Sequence, residues 1–168
     1  MRKQPLMTPG IVVSGVLAAA AIWLPLVLAN LPFLHVQPII LLILAICLHA
    51  TASISSAISV YQIAAILETD KPAVYAVTTA IFPQVMLVKT LSMLTQRMLT
   101  DLKANKRVQE DPDMKERVET LSKLVDPFDL VFTLITFGLH TIYYTTKSYF
   151  LLVSLAQIMD NLSTGTRQ

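Results

Sequence analysis

Four residues define the chemistry open to this sequence. His49, Lys89, His140 and Lys147 are the ionisable side chains that fall within or beside long apolar runs. Such groups are costly to remove from water, so at membrane depth they mark either function or tight pairing. His140, Tyr143, Tyr144 and Lys147 recur at three- and four-residue spacing, which puts them on one broad face of a helix. A stripe of that kind could line a polar passage, relay protons or hold a ligand headgroup. It fits equally well an interface with partner subunits, or a membrane border where tyrosines gather. Lys89 lies about one turn beyond an apolar segment and reads as a lysine whose head snorkels to the interface. His49 opens a run of small residues and is expected to bond to a neighbouring helix. Glu68, Asp70 and Asp129 fall near expected helix ends, where capping accounts for them.

Other chemistries lack their residues. Gly10, Gly15, Gly138 and Gly165 are scattered, so no glycine-rich loop can cradle a phosphate. No His-x-x-x-His or carboxylate–histidine pair has metal-ligand spacing, and no Gly-x-Ser-x-Gly elbow presents a nucleophile. Cys47 is the only cysteine, which excludes an intrachain disulfide and a cysteine zinc site; it reads as a small buried hydrophobe. Asn161-Leu162-Ser163 matches a glycosylation acceptor but sits too near an expected helix end to carry weight. No basic run and few aromatics argue against nucleic acid as a partner. The expectation is therefore a protein that is not an enzyme, with no cofactor and no metal.

The elements that must position these residues are written in the composition. Of 168 residues, 54% are hydrophobic and 14% are charged, and the mean hydropathy is +0.61. Soluble domains carry about 25% charged residues, so this chain lacks a polar coat. From Gly10 to Leu67 there is no Asp, Glu, Lys or Arg at all. About 20 apolar residues span a hydrocarbon core of roughly 30 Å, so that stretch has room for two crossings and a turn. Arg2 and Lys3 before the run Ile11–Ala29 resemble a secretory signal, but the run is longer than a signal's apolar core, and an uncleaved first transmembrane helix is expected.

The expected fold is all-α, a polytopic transmembrane helical protein forming a single membrane domain over 1–168. Helices are expected at about 8–33, 38–67, 72–109, 113–125 and 127–161. Four cross the bilayer, and an extramembrane amphipathic hairpin at about 96–126 separates the third from the fourth. Pro25 and Pro83 should kink their helices, and the last one should either cross and protrude or bend near Gly138. On the second helix, Ala52, Ser53, Ser55, Ser56, Ala57 and Ser59 have small-xxx-small spacing and predict a helix-packing surface. Leu87, Leu91, Leu94, Met98 and Leu102 form one apolar stripe, running into the hairpin, and Met114, Val118, Leu121 and Val125 the other. Asp113 with Glu116 has the spacing of a capping box. The polar faces mix both signs, which favours a hairpin that buries its stripes over one lying on the membrane surface.

Four crossings place the charged hairpin opposite both termini, and the excess of Lys and Arg there puts it inside. A three-crossing arrangement, with Ala73–Leu99 along the surface, places the amino terminus and the hairpin together inside and satisfies the charge rule better. The expected partners are the lipid bilayer and other membrane subunits or a second copy. The setting is the bacterial or the mitochondrial inner membrane. The functional expectation is a non-catalytic subunit that stabilises a larger respiratory, energy-coupling or secretion complex. The alternative is a small homo-oligomeric channel or transporter with the His140–Lys147 stripe along its pathway; a membrane-embedded enzyme comes third.

Overall fold

The computed structural model describes residues 10–31, 35–66, 71–126 and 128–164, and every regular element among them is helical. Two long helices come first. α1 (Gly10–Ala29) and α2 (Pro38–Ile66) carry no charged residue, and α2 opens on a proline whose missing N–H costs nothing in a first turn. They lie antiparallel, stitched by the Ser14 hydroxyl, which is 2.8 Å from Ser55 Oγ and 3.2 Å from Ser59 Oγ. These two helices are long and apolar enough to cross a membrane. A buried core helix would pass the same test, but only 11% of the α2 window is buried. Ile39, Ile40, Leu42, Ile43, Ile46, Ile54 and Ile58 all face outward.

The expected third helix, 72–109, is not continuous. It divides into α3 (Pro72–Ile81), α4 (Pro83–Ala104) and α5 (Lys106–Glu110). Proline cannot donate to the preceding turn and pushes the residue before it into extended backbone; Phe82 sits there, at φ −135° and ψ 79°. The result is a reversal rather than a kink. Thr79 Oγ1 and Thr90 Oγ1 are 3.1 Å apart, whereas eleven residues of straight helix would separate them by about 16 Å. α3 and α4 are thus a tight hairpin with its tip at Phe82–Pro83. Asn105 ends α4 in extended backbone, and its side chain accepts the Arg107 N–H to start α5.

α6 (Pro112–Ser122) is capped by Asp111, whose carboxylate accepts from the N–H groups of Asp113 and Met114. The expected cap, Asp113, lies inside the first turn instead, because Pro112 takes the first helical position. The apolar stripe of α6 turns inward: Val118 is buried, and Met114, Leu121 and Val125 pack on the core beside it.

The expected fourth helix also folds back. α7 (Asp129–Ile135) ends at a turn in which Phe137 has φ 47° and Gly138 φ 87°, and α8 (His140–Thr164) returns. Glycine tolerates that left-handed backbone without cost. The Gly138 N–H closes the turn by donating to Thr133 O at 2.8 Å.

Both hairpin tips dock on α1. The Gln84 amide donates to Ala18 O at 3.0 Å, and Thr141 Oγ1 donates to Gln84 O at 3.0 Å. Trp23 Nε1 donates to Phe137 O at 3.2 Å. α8 then runs antiparallel to α1, so that Gly15 faces Thr145. The core continues along α4 and α8, through Leu87, Leu91, Leu94, Leu152, Leu155 and Ile158.

Among the described residues two helices, α1 and α2, have the length and composition of crossings, against the four expected. Arg107 Nη1 donates to Leu162 O at 3.0 Å. The far end of α8 therefore stands beside α5.

The small residues of α2 make one stability prediction. Ser56 is fully buried, and its hydroxyl has no hydrogen-bond partner. Replacing it with alanine removes a buried polar group at no loss of contact, so Ser56→Ala should leave thermal stability in detergent unchanged or slightly raised. Ser56→Leu overfills the same site and should cost about 1–3 kcal/mol. Equal melting curves for the two variants would contradict this packing.

Candidate functional site

The densest polar cluster in the described residues is centred on Asp129, at the first turn of α7. Its Oδ1 lies 2.9 Å from His140 Nε2 and its Oδ2 lies 3.0 Å from Lys147 Nζ. One carboxylate thus bridges an imidazole and an ammonium, and both of its oxygens are used. Asp129 is 4% exposed, and the side chains of His140 and Lys147 are 17% and 16% exposed. The sequence reading of Asp129 as a helix cap is corrected here. Phe128 caps α7 without a side-chain hydrogen bond, and the Asp129 carboxylate points across to α8 instead of along its own helix.

Aromatic rings wall the cluster. His140 stacks at a tilt between Phe132, 5.6 Å away, and Tyr143, 5.3 Å away. Lys147 Nζ lies 5.7 Å from the Tyr143 ring centroid and 6.0 Å from that of Tyr144, within range of weak cation–π attraction. The stripe of four residues therefore splits. Tyr143 is exposed on the outer side of the triad, whereas Tyr144 is buried against α4, with Ser92 and Ser148 as its hydroxyl partners.

Chemically, the triad is a closed ionic clip. Partly desolvated opposite charges attract more strongly than on a wet surface, and each needs its partner to offset the cost of leaving water. The clip pins α7 to α8 across the turn at Gly138. Each oxygen of Asp129 holds one of the two partners. No group of three or more His, Cys, Asp or Glu among the described residues could hold a metal ion.

The other expected residues lie elsewhere. Lys89 is exposed on α4, and His49 is exposed on α2, at the surface rather than between helices. Cys47, expected to be buried, is also exposed on α2. Ala52, Ser56 and Ser59 are buried, and Ser53, Ser55 and Ala57 are half-buried. Ser55 and Ser59 meet Ser14 of α1, so part of this small-residue surface is occupied within the chain. An open cleft of about 480 Å³ runs beside it, lined by Thr51, Ser55, Ser59 and Gln62 with Ile54, Ile58 and Gly10. Glu68 and Asp70 lie outside the described residues.

Asp129 is the member of the cluster to which the sequence gives only a capping role. It is eleven residues from His140 and eighteen from Lys147, both near whole numbers of helical turns. On an unbroken helix, that spacing gives a shared face but a separation far beyond bonding. Only the reversal at Gly138 brings the three together. Compared with protein-family models, with curated proteins and with solved structures, the chain matches none.

Proposed function

We propose that this chain is a non-catalytic, membrane-integrated helical subunit, held among lipid and other membrane helices. The observation that carries this reading is the outer surface of α2, a charge-free helix of 29 residues whose large side chains point away from the chain's own core. Water cannot cover such a surface without a large free-energy cost. α7 adds to it with Phe128, Val131, Phe132, Leu134 and Ile135, all exposed.

The Asp129 clip supports a structural role over a pore. In a conducting pathway, His140 and Lys147 would present their polar heads to a shared lumen. Here the same chain supplies the counter-ion to both. Lys147→Met should accordingly leave ion flux into proteoliposomes at the background of protein-free vesicles, just as the unaltered chain does.

Purification from native membranes in mild detergent, followed by mass determination and identification of the components, tests the subunit reading. Other membrane proteins should co-purify in fixed ratio. A lone monomer, or a closed ring of this chain with measurable flux, would overturn it. Cys47 gives a second check on unaltered protein. It is exposed on the chain, so in water a thiol reagent would reach it at once. In intact membranes an impermeant maleimide should fail to label it from either side until detergent is added.

A further inference from the structure

We propose that the chain acts as a wedge in the bilayer, wide in the leaflet beside its charged segment and narrow in the opposite one. The proposal rests on the membrane reading above but concerns shape, which that reading leaves open. The occupant to which it commits is lipid, around the chain reconstituted by itself and apart from the other subunits proposed above.

The hairpin tips carry the argument. α1 is 20 residues long, about 30 Å at 1.5 Å per residue, which matches a hydrocarbon core. The tip of the α3–α4 hairpin is fixed at Ala18 through Gln84, and that of the α7–α8 hairpin at Trp23 through Phe137 O. Counted from Gly10, those positions lie about 12 and 20 Å along α1. Both hairpins thus enter from one side, end about two-fifths and two-thirds of the way along α1, and return. Their charged connections share that side: Arg107 of α5 bonds to the end of α8, and Gln109 Nε2 donates back to Lys103 O beneath it.

Beyond both tips, α1 and α2 are the only described helices that continue. In that half Leu24, Leu26 and Val27 of α1 and Ile39, Ile40, Leu42, Ile43 and Ile46 of α2 are all exposed, and no charge interrupts them. A helix about 10 Å across occupies roughly 80 Å² of membrane area. Two helices beyond both tips, against six near the Gly10 end of α1 where both hairpins are present, is about 160 Å² against nearly 500 Å². Lipid must fill the difference, and it does so with least packing strain where the wide leaflet lies on the convex face of a curved membrane. Side chains at the tips fit that depth: Ile81, Phe82, Phe137 and Leu139 are exposed and apolar.

The test uses the full chain with Cys47→Ser and Lys115→Cys, Lys115 being an exposed residue of α6. Reconstituted into giant vesicles of neutral phospholipid, it is labelled from outside with an impermeant fluorescent maleimide. That step reports only molecules whose charged segment faces outward. Thin tubes are then pulled from the vesicles, and protein density is compared between tube and parent membrane at equal lipid signal. The labelled population should be enriched several-fold in the tubes, increasingly so as the radius falls. A ratio of one at every radius, with the protein resisting alkaline extraction, would overturn the wedge and leave the membrane reading standing. Protein that fails to float with the vesicles would overturn both. Depletion from the tubes would place the wide half on the wrong side and also overturn the wedge.

Discussion

Asp129→Ala is expected to destabilise the chain by about 3–5 kcal/mol, because it strands two partly buried partners at once. In a thermal melt in mild detergent, that corresponds to a fall on the order of 10 °C for a chain of this length. Asp129 is nearly inaccessible, and both of its oxygens are occupied, so no water can take over its role without opening the hairpin. The triple replacement Asp129→Leu, His140→Phe, Lys147→Met removes all three polar groups together. It should recover most of the loss, since well-packed apolar groups commonly match or exceed a buried ion pair. If Asp129→Ala melts like the unaltered protein, the clip does not hold α7 to α8. If the triple variant is as unstable as the single one, the loss is of shape and not of charge pairing.

Gly15→Ala should be nearly as damaging, although it adds one methyl group. A Cβ on Gly15 would collide with the Thr145 side chain, meeting Oγ1, Cγ2 and Cβ together. Thr145 cannot swing away freely: it is fully buried, and its hydroxyl bonds back to Thr141 O at 2.7 Å. α1 and α8 must then separate, at about 1–3 kcal/mol for overfilling plus the strain passed to the docked tips. Gly15→Leu should prevent the two helices from closing at all. The compensating change Thr145→Ala opens the space on the facing helix and should restore Gly15→Ala to within about 1 kcal/mol of the parent, as expected for neighbours that couple. Additive losses in the double variant would place Gly15 and Thr145 apart.

Much of the architecture is legible in the residues before any coordinate is known. The charge-free run gives α1 and α2 with nearly their observed bounds, because nothing polar interrupts either helix. The Met114, Val118 and Leu121 stripe gives α6 and its inward face. The two reversals are not legible in the same way. Pro83 and Gly138 each announce a break, yet a proline permits a modest kink as readily as a hairpin, and a glycine relaxes the backbone without setting its direction. The angle is decided at a distance, by Gln84 reaching Ala18 and by Thr79 meeting Thr90. Asp129 was hidden for the same reason: its partners become neighbours only after the chain turns back. His49 and Lys89 stood out because ionisable groups in apolar runs are rare, but both are exposed, and their exposure depends on which face of a helix its neighbours cover.

We propose that, among the described helices, α1 and α2 traverse the membrane while the ends of α4 and α8 share one side with α5 and α6. Sidedness mapping tests it most directly. Single cysteines are placed at exposed Lys115 of α6 and exposed Gln157 of α8, each with Cys47→Ser, and labelled in sealed, oriented membranes with an impermeant maleimide. Both sites should react from the same face and neither from the other. Labelling of Lys115→Cys from one face and Gln157→Cys from the opposite one would mean that a further segment crosses between them, and the half-depth hairpins would not exist.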